Sequence, residues 1–535
     1  MKRMLYIMVS VLAWAGLVLT GCTNIDPDVA EIEKGKQYTL CIKAKKGKPE
    51  TKTLTFVNGE LRSYWAKGDV LKVYDATTGE HIVDLESQAE GKETEFKVTL
   101  TEAQAGQLTA ATQLKLEYKG PGYDAQDGTL ESLSDNCDYS VAYVSVNGVD
   151  NNEYTITTDK ADFTSQQAIV QFKVEDENAN IVSISKLEVD YGFGQFTVNV
   201  ASSILNSNDE KDYRYFVAIP ESEYVKLTAT GTDGRVYTYE KGDNIYVKAV
   251  DYVLQNGYYY PIAVRMHGQP MLGDPYYSDG TWATCNKHAD GAKAVGIVVY
   301  LGSGAIVENY PHGLVMALKD ATTSEVNWAT EAIELFKDEW VTLTEHSLAN
   351  CGGLAKTAAL CTEDRIAKYP AAAAAYKYAA PVNKEKCSGW FLPSSGQWLS
   401  VVYGICGAEY PVKADNTWWK NGLDYLWGEG KGDGNTSLTD IAKVLFPSDD
   451  DGYAHSLLNA AMQAVSKDYD SIITKNKGNY VSYWTSSVNS KSDAIRMNFG
   501  VEENRKNGRY SSVKTDNKPK KSEKVKYRVR AFLAF

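Results

Sequence analysis

Trp65-Ala66-Lys67-Gly68-Asp69-Val70-Leu71-Lys72-Val73-Tyr74 decides how the first half of the chain folds. Lys67-Gly68-Asp69 is a turn, because glycine between polar residues breaks regular structure, and Val70 to Tyr74 is a short run suited to a strand. The same unit recurs on both sides. Upstream lie Tyr38-Thr39-Leu40-Cys41-Ile42 and Leu54-Thr55-Phe56, followed by an Asn58-Gly59 turn; downstream lie Thr78-Gly79, Glu95 to Leu100 and Leu114 to Tyr118. No helix-period run of comparable length interrupts them, so residues 36–150 are expected to form a β-sandwich. Residues 151–261 repeat the character in Ala168 to Val174, Ile181 to Ile184, Phe196 to Val200, Tyr215 to Pro220, Lys226 to Thr230 and Ile245 to Val247, which predicts a second sandwich in tandem.

After Pro261 the texture changes. The strands Ala294 to Leu301 and His312 to Leu318 are joined by helical patterns: Val326 to Phe336 is amphipathic, Ala371 to Tyr378 follows Pro370, a favourable first helical residue, and Ser456 to Val465 adds a third. In Trp390-Phe391-Leu392-Pro393-Ser394-Ser395-Gly396-Gln397-Trp398 the spacing of Ser394 and Gln397 is that of a capping box, so a helix with a buried face begins there. Tyr483 to Ser487, Ile495 to Phe499 and Val525 to Phe535 read as strands. In the last of these, Val525, Tyr527, Val529, Ala531, Leu533 and Phe535 share one face, and Lys526, Arg528 and Arg530 are expected on a solvated one. Residues 262–535 therefore form a domain of helices and strands, α+β in class.

At the start of the chain, Lys2 and Arg3 precede a run from Met4 to Leu19 that is apolar apart from Ser10. The run is shorter than the ~20 residues that cross a bilayer and ends in small residues, so residues 1–21 are expected to be a signal peptide. Its ending, Leu19-Thr20-Gly21-Cys22, resembles the bacterial lipobox. That resemblance implies acylation of Cys22 and a membrane anchor through it, stable because several chains each contribute about 0.8 kcal/mol per buried CH₂. Residues 22–35, with Asp26, Pro27, Asp28, Glu31 and Glu33, read as a solvated tether.

The net charge of −13, together with export, argues against nucleic acid as a partner. The basic run Lys518, Lys520, Lys521, Lys524, Lys526, Arg528 and Arg530 is expected to be a solvated loop and strand face. Thirty-six Tyr and eleven Trp suit strands and wet contact surfaces. The sequence has no C-x-x-C, no Cys/His cluster at ligand spacing, no G-x-S-x-G, no H-E-x-x-H and no phosphate loop, and its six histidines are scattered. Gly428 to Gly434 lacks the Lys-Ser/Thr ending and reads as a surface loop. No catalytic residue, metal or cofactor is assigned, and no enzyme is expected. Cys351 with Cys361, or Cys387 with Cys406, are candidate disulfides, and unpaired thiols are the alternative.

Residues 36–260 resemble the fimbrillin family of Bacteroidetes pilins and their accessory subunits. The resemblance rests, behind the lipobox, on Lys52-Thr53-Leu54-Thr55-Phe56, Trp65-x-x-Gly68-Asp69 with Val73-Tyr74, Gln126-Asp127-Gly128-Thr129-Leu130 and Ala168-Ile169-Val170-Gln171-Phe172. It implies a mainly β fold of two tandem transthyretin-like Greek-key β-sandwiches. Residues 262–535 resemble the C-type-lectin-like modules of Bacteroidetes lipoproteins. The motifs are Tyr277-Ser278-Asp279-Gly280-Thr281, Trp390-x-Leu392-Pro393-Ser394, Tyr483-Trp484-Thr485-Ser486-Ser487 and Val529-Arg530-Ala531. The Glu-Pro-Asn, Gln-Pro-Asp and Trp-Asn-Asp tripeptides of calcium-dependent sugar binding are missing.

Together the two resemblances imply a fimbrium subunit at the outer membrane or cell surface. Its partners would be other fimbrillin-type pilins, and a host or bacterial surface glycan or protein would be the ligand of its head. Such pilins assemble by strand addition, after a protease that cuts behind Arg or Lys frees their first strand. Lys45, Lys46, Lys48 and Lys52, between the Tyr38 and Leu54 strands, lie where the cut would fall; a solvated hairpin is the other reading. Trp418, Trp419 and Trp427 either contact the ligand or pack beneath a long loop. Two roles are compatible with all of this: a tip adhesin from which processing removes Cys22, and a lipid-retaining anchor or free-standing binding lipoprotein.

Overall fold

The computed structural model describes residues 35–46, 55–57, 60–62, 64–150, 153–205, 214–240, 253–302, 309–331, 335–337, 351–405, 454–472, 480–504, 508–521 and 524–535. The described residues are mainly β and fall into two compact units. The first runs up to Ile169 and includes Ala218–Glu221 and Leu254–Tyr260; the second holds Val170–Val217, Ser222–Val253 and Pro261–Phe535.

In the first unit the strands are β1 (Tyr38–Lys46), β2 (Thr55–Val57), β3 (Glu60–Arg62), β4 (Val70–Asp75), β5 (His81–Ser87), β6 (Glu93–Leu100), β7 (Gln113–Tyr118), β8 (Ser140–Asp150), β9 (Thr155–Thr158) and β10 (Ala161–Ser165). β2 and β3 form a separate hairpin. The other eight run in the order β10-β1-β6-β5-β4-β7-β8-β9, with β9 also pairing β1 and β10 also pairing β8. The sheet thus closes on itself and has no free edge. The expected β class holds for these residues, and one boundary moves: β9 and β10 lie beyond residue 150, so this fold extends past its expected end. Long-range pairing decided that, and local alternation carries no record of it.

Trp65 fills the interior of the closed sheet. Its ring meets Phe96, Tyr118 and Phe163 edge-on, with centroids 4.9, 5.1 and 5.3 Å away. The Gly68 turn holds it there: Gly68 sits at φ +85°, where a side chain would be strained, and Asp69 Oδ2 accepts the Ala66 N–H at 2.7 Å. Two short helices, Glu102–Gln107 and Leu130–Asn136, interrupt the strands, each capped by a threonine hydroxyl that accepts a backbone N–H two or three residues into the helix.

The remaining strands are β11 (Ala168–Glu175), β12 (Ile184–Asp190), β13 (Gln195–Asn199), β14 (Arg214–Ile219), β15 (Lys226–Gly231), β16 (Val236–Glu240), β17 (Tyr259–Arg265), β18 (His267–Gly268), β19 (Pro275–Tyr277), β20 (Ala294–Leu301), β21 (Gly313–Asp320), β22 (Tyr480–Val488), β23 (Asp493–Asn504), β24 (Gly508–Pro519) and β25 (Arg530–Ala534); they belong to the second unit except for the first two residues of β11 and β17 and the last two of β14. Sheets β14-β11-β17 and β13-β12-β15-β16-β18 are joined where Tyr215 Oη accepts the Ile184 N–H at 3.1 Å. The expected boundary at 261/262 falls inside β17, and β18 pairs with β16, so the head begins only after Gly268.

The head has a sheet β19-β20-β21-β25 and a second sheet β22-β23-β24. The first is buried on both faces. Ile297, Leu314, Met316, Phe532 and Ala534 meet Trp398, Leu458 and Met462 from the helices Ser395–Gly404 and Ala454–Val465. Val298, Val315, Ala531, Leu533 and Phe535 meet Trp328, Trp390, Leu392, Trp484 and the helix Pro370–Tyr376. The expected solvated face holds for Lys521, Lys524 and Lys526, which are exposed, whereas Arg530 and Lys520 are fully buried. Nor is Val326 to Phe336 a helix in its described residues. Val326 makes a bridge to Tyr527, and the buried Trp328 donates its indole N–H to Thr485 O at 2.8 Å, so tertiary contacts hold the segment extended.

Candidate strand-exchange site

Strict alternation over β1 turns Tyr38, Leu40, Ile42, Ala44 and Lys46 inward, and leaves Thr39, Cys41, Lys43 and Lys45 on the outer face. Both hydrogen-bonding edges of the strand are occupied. One runs antiparallel to β6, from Tyr38 opposite Leu100 to Lys45 opposite Glu93. The other runs parallel, first to β9 with Thr39 opposite Thr155, then to β10 with Ala44 opposite Ala161. Every other neighbour relation in the sheet survives without β1. Withdrawing it would open a slot between β6 and the β9–β10 edge and bare the wall against which Leu40 and Ile42 pack, at roughly 1.5–3 kcal/mol for each such side chain.

Lys46 completes the inward row. Its Nζ donates to Asp138 Oδ2 at 2.8 Å, with both side chains almost wholly buried. The ammonium also sits 4.4 Å from the centre of the Trp65 ring and 4.0 Å from that of Tyr118. Burial, with Asp138 and Asp69 close by, pushes the Tyr118 phenol well above its ordinary range, so the ring faces the ammonium as a neutral phenol. Lys45 and Lys46, expected in a loop, are thus the last two residues of β1. Extending the alternation of Tyr38, Leu40, Ile42 and Ala44 by one step was the sequence signal that placed Lys46 inside. Lys48, Lys52, Cys22, Trp418, Trp419, Trp427 and the expected strand Ile245 to Val247 lie outside the described residues.

β25 has the opposite character. All five of its residues are buried. It pairs with β21, with Leu314 opposite Ala534, and bridges Phe391 through Phe532. Arg530 donates to Leu318 O and Asp470 O at 2.7 Å each and to Ala317 O at 3.1 Å, and it pairs with Asp320 at 2.8 Å. Removing β25 would take this donor from the three carbonyls and leave the buried Asp320 carboxylate with Arg528 alone of its two arginine partners. β1 fills a seam between two strand edges, whereas β25 is built into a two-sided core.

Cys361 and Cys387 carry free thiols, so neither candidate disulfide is formed. Burial pushes Cys137 up to about 12 and Cys361 up to about 11, which keeps both protonated at neutral pH. Among the described residues no group of three or more His, Cys, Asp or Glu is placed to hold a metal ion, and no helix is long and apolar enough to cross a membrane.

No protein-family model matches the chain, and no curated protein matches it. Several solved structures are similar to it in fold comparison. A fimbrial protein from Bacteroides ovatus is 13% identical at a TM-score of 0.28, with 93% of this chain and 99% of that one covered. A candidate cell adhesion protein from the same species is 14% identical at a TM-score of 0.25, over 48% of this chain and 100% of that one. The shaft pilin SpaA from Lactobacillus rhamnosus is 9% identical at a TM-score of 0.21, over 44% of this chain and 100% of that one.

Proposed function

We propose that this chain is an accessory subunit of a fimbrillin-type surface fibre, acting as an adhesin and joined to its neighbour by exchange of β1. The observation that carries this reading is the placement of β1, antiparallel to β6 on one edge and parallel to β9 and β10 on the other, as a strand that links the two ends of the first sheet. A foreign strand with apolar residues at every second position satisfies the same slot. β25, by contrast, is too deeply held to be lent, which suits a subunit at the end of a fibre. The test uses the purified protein, a Lys-specific protease and a labelled peptide of residues 36–46. Release of the first strand on cleavage, followed by saturable uptake of the peptide, is expected; a nicked protein that keeps its strand, or that refuses the peptide, defeats the exchange. Immunogold labelling of fibres with an antibody to the head tests the position, since regular decoration along the shaft contradicts a tip.

Burial of Lys46 favours a second reading, in which β1 is never released and the chain stays anchored through an acylated Cys22. Mass spectrometry of the native protein separates the two. Recovery of an acylated Cys22 peptide supports the anchor, and an N-terminus beyond β1 supports exchange.

A further inference from the structure

The second unit contains a cleft of about 590 Å³ that the strand-exchange reading does not use. It lies where β16 and β18, the loop after β11, and the head segments 280–287 and 309–312 converge, with Phe535 at its base. Its size is within the ~300–1,000 Å³ of small-ligand sites. The local sequence builds it. Asp279 accepts the Thr281 N–H and hydroxyl and the Ala289 N–H, which folds the Tyr277 to Thr281 turn. Gly280 stands in that turn at φ +83° beneath Lys386, where a Cβ would lie 2.8 Å from the lysine side chain.

One wall is aromatic. Trp282, His312 and Phe535 cluster with ring centres 5.0, 5.5 and 5.8 Å apart. The Trp282 indole N–H is fixed on Gly268 O at 3.0 Å, and burial lowers the pKa of His312, which keeps its ring neutral at pH 7. Beside it lies a locked polar relay. Glu177 accepts from His267 Nδ1 at 2.9 Å, from Asn286 Nδ2 at 2.9 Å and from the Lys287 N–H at 3.0 Å. Burial alone raises the pKa of a carboxyl, but these donors outweigh it and hold Glu177 below its ordinary range.

Asn286 is 5% exposed, and its second amide hydrogen goes to Gly268 O at 3.2 Å. Both hydrogens are therefore directed at acceptors, which fixes the amide orientation and makes the remaining atom, Oδ1, an acceptor. That oxygen is buried and has no donor among the described residues. A buried acceptor without a donor costs about 1–3 kcal/mol, which a hydroxyl reaching it from the cleft would offset. Lys287 and Lys386 on the lining are matched by Glu177 and Glu385, so the described lining carries no lysine excess for an anionic ligand.

An aromatic wall beside planar hydrogen-bonding groups fits a molecule with one C–H face and a rim of hydroxyls. We propose that this cleft binds a neutral pyranose residue of a surface glycan, which packs its C–H face on Trp282 and His312 and donates a hydroxyl to Asn286. The site requires no calcium. It stands whether or not β1 is exchanged.

The experiment applies saturation-transfer NMR to the full chain with methyl glycosides of galactose, glucose and mannose and with N-acetylglucosamine, alongside an array of neutral and sialylated glycans. Saturation of pyranose ring protons by at least one neutral sugar, unchanged in EDTA, is expected. His312→Ala and Asn286→Leu are each expected to weaken the best neutral glycan at least tenfold, with thermal unfolding of the variants followed in parallel. Should Asn286→Leu fail to fold, His312→Ala and competition on the wild-type protein decide. The proposal is overturned if no neutral sugar binds the wild type, if only sialylated glycans bind, if EDTA abolishes binding, or if folded variants bind as the wild type does.

Discussion

Lys46 shows how a charge is tolerated inside a sheet. Its ammonium is held by one carboxylate and two aromatic faces, so the cost of burial is offset only while all of them are present. Lys46→Ala removes the buried cation beside Asp138 and is expected to cost about 3–5 kcal/mol in urea unfolding of the first unit, whereas Lys46→Met combined with Asp138→Leu is expected to be near neutral. A protease that reads lysine must take the side chain into its own pocket, so a native cut directly behind Lys46 is not expected. N-terminal sequencing of the processed protein checks this. Lys520 makes a different prediction. Burial lowers its pKa to about 8, against a weaker opposing pull from Asp493, while its Nζ donates to Ser490 O and Lys491 O. Below pH 8 the lysine is charged in both folded and unfolded chains, and the desolvation penalty is present in full. Between about 8 and 10.5 the folded protein loses the proton first, so the unfolded state binds more protons and stability from this group rises with pH. The stability of the wild type relative to Lys520→Met is therefore expected to increase across that window. The paired comparison separates Lys520 from the tyrosines and cysteines that titrate nearby.

Among the elements, the helix Ser395–Gly404 is set by a local signal that also serves the tertiary fold. Ser394 accepts the Gln397 N–H, and Gln397 Oε1 accepts the Ser394 N–H, closing the capping box with both residues fully buried. The Gln397 Nε2 group then donates to Cys351 O at 2.9 Å. Ser394→Ala is expected to cost about 0.5–2 kcal/mol, the range of a lost cap, and Gln397→Ala more, because it also leaves the Cys351 carbonyl without that donor. Chemical denaturation of both variants tests the order, and equal losses would show that the link to Cys351 contributes nothing. The same scale separates β1 from β25. β1 alternates between an inward and an outer row and closes a seam, whereas β25 is buried throughout, with helices on one face and a second core on the other.

For the whole molecule, the second sandwich and the head belong to one compact unit. Arg235 makes a bidentate pair with Asp274 at 2.6 Å through both nitrogens, and Asn178 donates to Thr284 O and Asn286 O. A fragment from Ile262 to Phe535 cuts β17 and removes the partners of Asp274, Asn286 and β18. It is expected to be aggregated or protease-sensitive, whereas a longer fragment that keeps β11 to β18 resists. A cooperative melt from the shorter fragment would show that these links are dispensable.

What the sequence determined alone is what neighbours in sequence determine. Short strand-like runs, alternating or apolar throughout, placed the strands Val70–Tyr74, Ala294–Leu301 and Ala168–Val174, Pro370 opened its helix, and the Ser394–Gln397 spacing fixed a cap, because each depends on contacts within a few residues. Legible too, though passed over, were Lys46 in the inward row of β1 and Phe532 and Ala534 behind Arg530, where apolar residues on both faces signal two-sided burial. Only the tertiary structure decided that β9 and β10 close the first sheet, that Asp138 answers Lys46 across 92 positions, and that Val326 pairs with Tyr527 in place of a helix. The cleft belongs to the same class. Trp282, His312, Phe535, Asn286 and Glu177 form no motif in order along the chain, and they meet because β16, β18 and the head pack together. Hydrogen-bond partners and desolvation act through space, so a charge or an amide acquires its role only when the residues opposite it arrive.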